Sequence, residues 1–225
     1  DRVYDYLHCY PNRKLRLGGS DPVKMFGYVD ASFGIKSRLG GALFLGLECG
    51  AFYAFSVSDR STSLSSCEAE IKAIMRIVLP VIHFRDMLEM LGEEQKEPTD
   101  IFCDNQAAVE ICKVLKMTNK TRHIQKTINF IREQINNRVM SLKFVPGYMN
   151  PADVLTKPLG REAFHRHTTT LLEGFNGLTN PEGDRAYLTL SDLEDMDVSE
   201  VKDTIRVHNT KMEMCDQVGF KGSMK

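Results

Sequence analysis

Residues 99–115 read TDIFCDNQAAVEICKVL. Thr99–Asp104 is a short run rich in apolar residues, of the length expected for a buried strand. Asn105 then offers an N-cap, and Gln106–Leu115 carries apolar residues at helical spacing. Upstream lie three strand-like runs, Lys24–Asp30 (KMFGYVD), Gly41–Leu47 (GALFLGL) and Ala51–Val57 (AFYAFSV). The turn signals between them suit an antiparallel meander. A long helix is expected from near Ser66, with Ile71, Ile74, Met75, Val78 and Ile82 on one stripe and a kink at Pro80. Downstream, Lys120–Asn136 reads as an amphipathic helix and Val139–Val145 as a strand. Asn150 caps a last helix with Pro151 at its first position. Three strands, helix, strand, helices, strand, helix describe an α/β domain with a mixed sheet.

Outside that region the chain reads differently. Residues 2–10 have helical spacing and stop at Pro11, and the link at 17–22 (LGGSDP) marks a boundary. Beyond about residue 176 the pattern gives way to polar, acidic text, read as a flexible tail. The 225 residues are 42% apolar with a net charge of −1, so a real core is expected and no global charge bias announces a nucleic-acid binder. Residues 1–164 carry a small basic excess and 165–225 an acidic one. Six cysteines show neither a CxxC pair nor metal-ligand spacing and read as reduced core thiols in a reducing compartment. No apolar run is long enough to span a bilayer. The first residues lack the regions of a signal peptide and read as mid-domain sequence, so a segment of something longer is expected.

Four acidic residues fall at ends of elements: Asp30 closing the first strand, Glu70 in the long helix, Asp104 closing the fourth strand, and Asp153 in the first turn of the last helix. If the first and fourth strands are parallel neighbours, their carboxyl ends form one crevice, the usual ligand position in such sheets. Carboxylates gathered there repel one another unless cations neutralise them. All-oxygen ligands point to Mg²⁺ or Mn²⁺, and two such ions about 3.5–4 Å apart would serve phosphodiester hydrolysis. Each residue also has a plainer reading. Asp30 and Asp104 suit turns after their strands, and Asp153 suits a helix N-terminus.

The stretches GYVDASFG (27–34), SLSSCEAEIKAI (63–74), IFCDNQAAVEI (101–111), TRHI (121–124), FIRE (130–133) and FVPGYMNPADVLTKPL (144–159) together resemble the RNase H domain of copia-type LTR retrotransposon Pol polyproteins. The resemblance covers about residues 22–173. It implies an RNase H-like fold: a five-stranded mixed sheet, three antiparallel strands then two parallel additions, with helices on both faces. Residues 1–21 resemble the end of the preceding reverse-transcriptase connection. The implied division is 1–21 connection and linker, 22–175 RNase H-like domain, and 176–225 acidic tail. The implied activity is divalent-metal-dependent hydrolysis of the RNA strand of RNA–DNA hybrids during reverse transcription, with two Mg²⁺ or Mn²⁺ ions on Asp30, Glu70, Asp104 and Asp153. The implied partners are the hybrid and the reverse-transcriptase domain of the same polyprotein. The implied location is a cytoplasmic virus-like particle or the nucleus, with no membrane. Two alternatives stand beside this reading: an inactive or co-opted fragment that keeps the fold and binds nucleic acid, and an integrase-type transferase. The missing integrase zinc motif and the fourth acid, Asp153, argue against the second.

Glu68 and Glu70 are separated by two criteria. The resemblance places the ligand glutamate before an apolar residue, which fits Glu70-Ile71-Lys72-Ala73-Ile74. Ser65-x-x-Glu68 is a capping box, so Glu68 has a helix end to serve. Hybrid contact should fall mainly on phosphates and 2′-hydroxyls. The candidates are Asn105 and Gln106 beside the site, Arg60 and Ser61 before the long helix, and the basic run carrying Lys116, Lys120, Arg122, His123 and Lys126, which is equally readable as a solvated face.

Overall fold

Phe26–Ser32 (FGYVDAS) forms β1, and almost every residue of it is buried, which requires cover on both faces of the sheet. It sits in the middle of five strands. A computed structural model describes residues 2–19, 22–34, 36–59, 61–114 and 123–175 of the chain. The remaining elements, in chain order around β1, are α1 (Arg2–Cys9), β2 (Arg38–Phe44), β3 (Tyr53–Ser58), α2 (Ser66–Met90), β4 (Thr99–Cys103), α3 (Gln106–Lys113), α4 (Gln125–Asn136), β5 (Met140–Phe144) and α5 (Arg161–Glu173). Two 3₁₀ turns, Gly147–Met149 and Pro151–Leu155, lie between β5 and α5. The strand order is β3-β2-β1-β4-β5, antiparallel across the first three and parallel from β1 to β4 and from β4 to β5.

Because side chains alternate along a strand, β1 divides its residues between two cores. Val29 and Ala31 join Leu43, Ile101, Cys103 and Leu142 under α2, whose stripe Ile71, Ile74, Ile77, Val78 and Val81 is fully buried. Each such side chain contributes roughly 1.5–3 kcal/mol. Phe26 and Tyr28 face the other way, where Phe26 stacks on Phe44 at 5.3 Å, and Tyr28 on Phe102 at 5.0 Å and on Phe175 at 5.7 Å. Phe175 follows α5, so helical structure covers both faces.

The expected mixed sheet is present, with two corrections. β2 begins at Arg38 and ends at Phe44, three residues earlier than Gly41–Leu47. Gly40 and Gly41 lie inside the strand, where a Cβ would press on Thr156 Cγ2 (2.7 Å) at the first and on the Phe55 ring (2.6 Å) at the second. The turn comes after them, where Gly46 has φ 136°. Asn150 and Pro151 do not open one long helix. They open the five-residue 3₁₀ turn, and Pro158 and Gly160 separate it from α5, whose N-cap is Gly160. α2, by contrast, runs through Pro80 as one helix. The expected helix from Lys120 is seen from Gln125, residues 120–122 lying outside the described residues.

Residues 2–19 pack against α5. The Tyr6 ring meets Phe164 edge-on at 5.7 Å, and the Arg13 guanidinium donates to the hydroxyls of Thr168 (2.5 Å) and Thr169. Arg16 N–H donates to Leu172 O at 2.7 Å, while its carbonyl accepts from Gly50 N–H at 2.8 Å. The expected tail, 176–225, and Ser20 and Asp21 of the expected linker lie outside the described residues. Among the described residues no helix is long and apolar enough to cross a membrane.

Candidate active site

The parallel register of β1 and β4 pairs Val29 with Cys103, so the next residues, Asp30 and Asp104, come side by side at the carboxyl edge of the sheet. Asp30 shares its face with Phe26 and Tyr28 and is 1% exposed. The 3₁₀ turn that follows β5 brings Asp153 to the same place. Asn150 fixes that turn: its amide donates to Val29 O at 2.8 Å, and its carbonyl oxygen accepts from Ala152 N–H at 3.1 Å. Asp30, Asp104 and Asp153 each present a carboxylate oxygen, all within 4.8 Å of one another. Gly147 closes the floor, since a Cβ there would stand 3.1 Å from Asp104 Oδ2.

Glu70 enters from the first turns of α2. One oxygen accepts the Ala31 N–H at 3.2 Å, and the other accepts from the Cys103 thiol at 3.6 Å. Ligand atoms of Glu70, Cys103 and Asp104 also lie within 4.8 Å of one another, so Asp104 belongs to both groups. The four carboxyls expected from the sequence therefore meet at one edge of the sheet.

Their protonation reflects that crowding. Burial first, then the charges of Asp30 and Asp104, pushes Glu70 up to about 9. Burial and Asp30 raise Asp104 against the pull of Lys157. Burial, with Asp30 and Asp104 adding to it, raises Asp153 to about 6 although Lys157 opposes it. Burial and the neighbouring carboxyls drive the Cys103 thiol well above its usual value, which leaves it un-ionised. Carboxyls lifted by burial and by one another are the electrostatic condition that a divalent cation relieves. The donors fit such an ion. They are oxygens, and Asp153 Oδ1 is buried and, apart from its ion pair with Lys157, accepts no hydrogen bond.

Two residues of the site carried no expectation from the sequence. Thr156 Oγ–H donates to Asp30 Oδ2, and Lys157 Nζ stands 2.9 Å from Asp153 Oδ1 and 3.5 Å from Asp30 Oδ1. Both follow Asp153 by three and four residues, the spacing that puts them over the same turn. That spacing within DVLTK was the available signal.

Glu68 belongs to a separate polar cluster. Ser65 caps α2 by accepting the Glu68 N–H at 3.2 Å, as a capping box requires. The returning carboxylate bond goes to the Leu64 N–H (2.9 Å) rather than to that of Ser65, because the carboxylate is also held by Lys72 at 3.1 Å and His123 at 3.0 Å. Lys72 in turn donates to Ser61 and Ser63 at 2.9 Å each and pairs with Asp59 at 3.2 Å. Of the expected substrate contacts, Ser61 and His123 are thus joined through Lys72 and Glu68, away from the four acids. Asn105 caps α3 by accepting Ala108 N–H at 3.0 Å, and the exposed Gln106 donates to Glu110 at 3.0 Å along the same helix. Arg60, Lys116, Lys120 and Arg122 lie outside the described residues.

Comparison with known proteins gives a consistent picture. The chain is 31% identical over 165 residues to the retrovirus-related Pol polyprotein from transposon TNT 1-94 of Nicotiana tabacum, which covers 72% of this chain and 12% of that protein. It is 27% identical over 175 residues to the corresponding polyprotein from transposon RE1 of Arabidopsis thaliana, covering 76% of this chain and 12% of the relative. The chain therefore spans about an eighth of the length of these relatives. No family model matches it. Among solved structures, an RNase H1 isolated from compost aligns with 65% of this chain and 99% of its own, at 16% identity and TM-score 0.49. The N-terminal RNase H domain of a Mycobacterium tuberculosis protein aligns with 66% and 98%, at 13% identity and TM-score 0.45. The strand order and directions described above are those of the RNase H-like fold.

Proposed function

The chain is a homologue of the retrovirus-related Pol polyproteins of plant transposons, and on that premise we propose that it is a ribonuclease H that hydrolyses the RNA strand of RNA–DNA hybrids during reverse transcription. The observation that carries the proposal is the convergence of Asp30, Asp104 and Asp153 oxygens within 4.8 Å at the carboxyl edge of β1 and β4, with Glu70 beside them. Asp30, Glu70, Asp104 and Asp153 would hold two Mg²⁺ or Mn²⁺ ions. Ions bound there supply an activated water and stabilise the leaving oxygen of a phosphodiester. The protein's own part is positional. β1 and β4 fix two carboxylates in register, α2 brings the third through the Ala31 N–H, and Asn150 anchors the turn that carries the fourth.

The proposal extends to the partner and the setting. The reverse-transcriptase domain of the same polyprotein would deliver the hybrid, in a cytoplasmic virus-like particle or the nucleus. Asn105 and Gln106, at the start of α3 directly after Asp104, are the nearest candidates for contact with the hybrid backbone. Ser61 and His123 are candidates through the Glu68 cluster, and Arg60, Lys120 and Arg122 complete the proposed set.

Cleavage of a labelled RNA–DNA hybrid in Mg²⁺ tests the reading, with Asp104→Asn as the control. Wild-type protein should cut the RNA strand and the variant should not. Absence of cleavage in Mg²⁺ and in Mn²⁺, or cleavage that survives Asp104→Asn, would sink it.

A further inference from the structure

Lys157 pairs with two of the four site carboxyls, and it is only partly exposed. Its Nζ lies 2.9 Å from Asp153 Oδ1 and 3.5 Å from Asp30 Oδ1, two of the three residues whose oxygens lie within 4.8 Å of one another. Asp153 Oδ1 accepts no hydrogen bond beyond that ion pair, although it is buried. The ammonium thus sits on oxygens that a divalent ion would need. Its own turn fixes its position: Thr156 is bonded to Asp30, the Lys157 N–H donates to Asp153 O at 3.1 Å, and Asn150 anchors the segment to β1. Two cations on shared carboxylate oxygens repel each other, so binding of one weakens the other.

We propose that Lys157 is a built-in counter-ion that holds the carboxylates together in the metal-free protein and gives way when a divalent cation binds, so that it sets the metal affinity of the site. This deepens the metal-dependent reading above and rests on it. The lysine is a positioning residue rather than a catalytic one. It keeps Asp30 and Asp153 near each other when no ion bridges them, and it raises the metal concentration at which the site fills. A tether on an exposed pair would do neither, because an exposed pair contributes little; here Asp30 is buried and Asp153 mostly so.

Calorimetric titration with Mn²⁺ at pH 8, in the absence of nucleic acid, tests this on wild type, Lys157→Met, Lys157→Arg and Asp104→Asn. Lys157→Met should bind Mn²⁺ at least about tenfold more tightly than wild type, since the competing ammonium on the shared carboxylate oxygens is removed. Its melting temperature should be lower in EDTA and should rise further on adding Mn²⁺. Lys157→Arg, which keeps the charge, should stay near wild type. A wild-type measurement runs beside these. Reductive methylation of Lys157, read by peptide mass spectrometry, should speed up when Mn²⁺ saturates the site. Unchanged or weaker Mn²⁺ binding in Lys157→Met, or a methylation rate indifferent to Mn²⁺, overturns the inference. If wild type binds Mn²⁺, Asp104→Asn does not, and Lys157→Met gains nothing, only the role of Lys157 falls. If neither wild type nor Lys157→Met binds Mn²⁺, the metal-dependent reading falls with it. If Lys157→Met binds and wild type does not, Lys157 does not give way and the inference falls, while the acid cluster itself is shown to take metal.

Discussion

Replacing Glu70 by Gln should stabilise the metal-free protein while abolishing activity, and the neighbouring Glu68→Gln should do the reverse. Glu70 is 5% exposed, and burial with the charges of Asp30 and Asp104 pushes its carboxyl from 4.5 up to about 9. Between those two pH values the folded protein keeps a proton that the unfolded chain has released. Stability therefore falls as pH rises through the interval. The part of the interval below pH 7 corresponds to about 3 kcal/mol, at about 1.4 kcal/mol per pH unit. A glutamine has no proton to lose, and its carbonyl oxygen can still accept the Ala31 N–H now 3.2 Å from Glu70 Oε1. Urea unfolding in EDTA at pH 5, 7 and 8.5 should show Glu70→Gln gaining on wild type as pH rises, by about 2–3 kcal/mol near neutrality. Glu68→Gln removes the charge that Lys72 and His123 share, and it should cost about 2–3 kcal/mol at pH 7. Hybrid cleavage should survive in Glu68→Gln once the protein is folded. Parallel pH curves for Glu70→Gln and wild type, or a Glu70→Gln protein less stable than wild type at pH 8.5, would refute the account of the site's electrostatics.

Three further variants have expected outcomes in the same unfolding assay. Asn150→Ala leaves Val29 O and Ala152 N–H unpaired in a fully buried position, and should cost about 2–3 kcal/mol. Asn105→Ala removes a partly exposed cap and should cost about 1 kcal/mol; equal losses would contradict the anchoring role given to Asn150. His167 is buried in α5, and burial, with Arg166 and Lys157 adding to it, lowers it to about 4. Between pH 6.5 and 4 the unfolded chain takes up a proton that the folded protein refuses, so stability falls as the solution is acidified, by about 3 kcal/mol in all. His167→Asn should lack that component, visible as a flatter acid limb than wild type, and superimposable limbs would exclude it.

The sheet was legible in the sequence because its signals are local. TDIFCD has a strand's length and composition, and Asn105 stands where the following helix needs a cap. The parallel pairing of β1 with β4 was the conditional step, and once it holds, Asp30 and Asp104 must meet. β2 was misplaced by three residues: Gly40 was left outside the strand and Gly46 kept within it. Gly40 and Gly41 are strand residues, required by Thr156 from a turn over 100 residues later and by Phe55 across the sheet. A long-range contact of that kind leaves no mark in local periodicity. The run Asn150–Thr156 misled in a similar way. Its cap and Pro151 are sound helix signals, but Pro158 and Gly160 allow only a 3₁₀ turn before α5 begins.

That short turn explains why Thr156 and Lys157 could not be assigned from sequence, and why they matter. Asp30 follows two aromatic residues, Phe26 and Tyr28, on one face of β1. An apolar residue there would avoid the desolvation that a buried carboxylate suffers. The compensation arrives from 126 residues further along the chain: a hydroxyl from Thr156 on one oxygen, with an ammonium from the adjacent Lys157 near the other. Asp153 comes on the same turn, adding the negative charge that makes the cluster attractive to a divalent ion. Acid, hydroxyl and ammonium are therefore delivered as one unit, pinned to β1 by Asn150. In the linear sequence Thr156 and Lys157 look like ordinary polar residues after an apolar pair. Spacing within DVLTK sets them over Asp153, but only the approach of this turn to β1 makes them partners of Asp30, so that part of their role belongs to the tertiary structure.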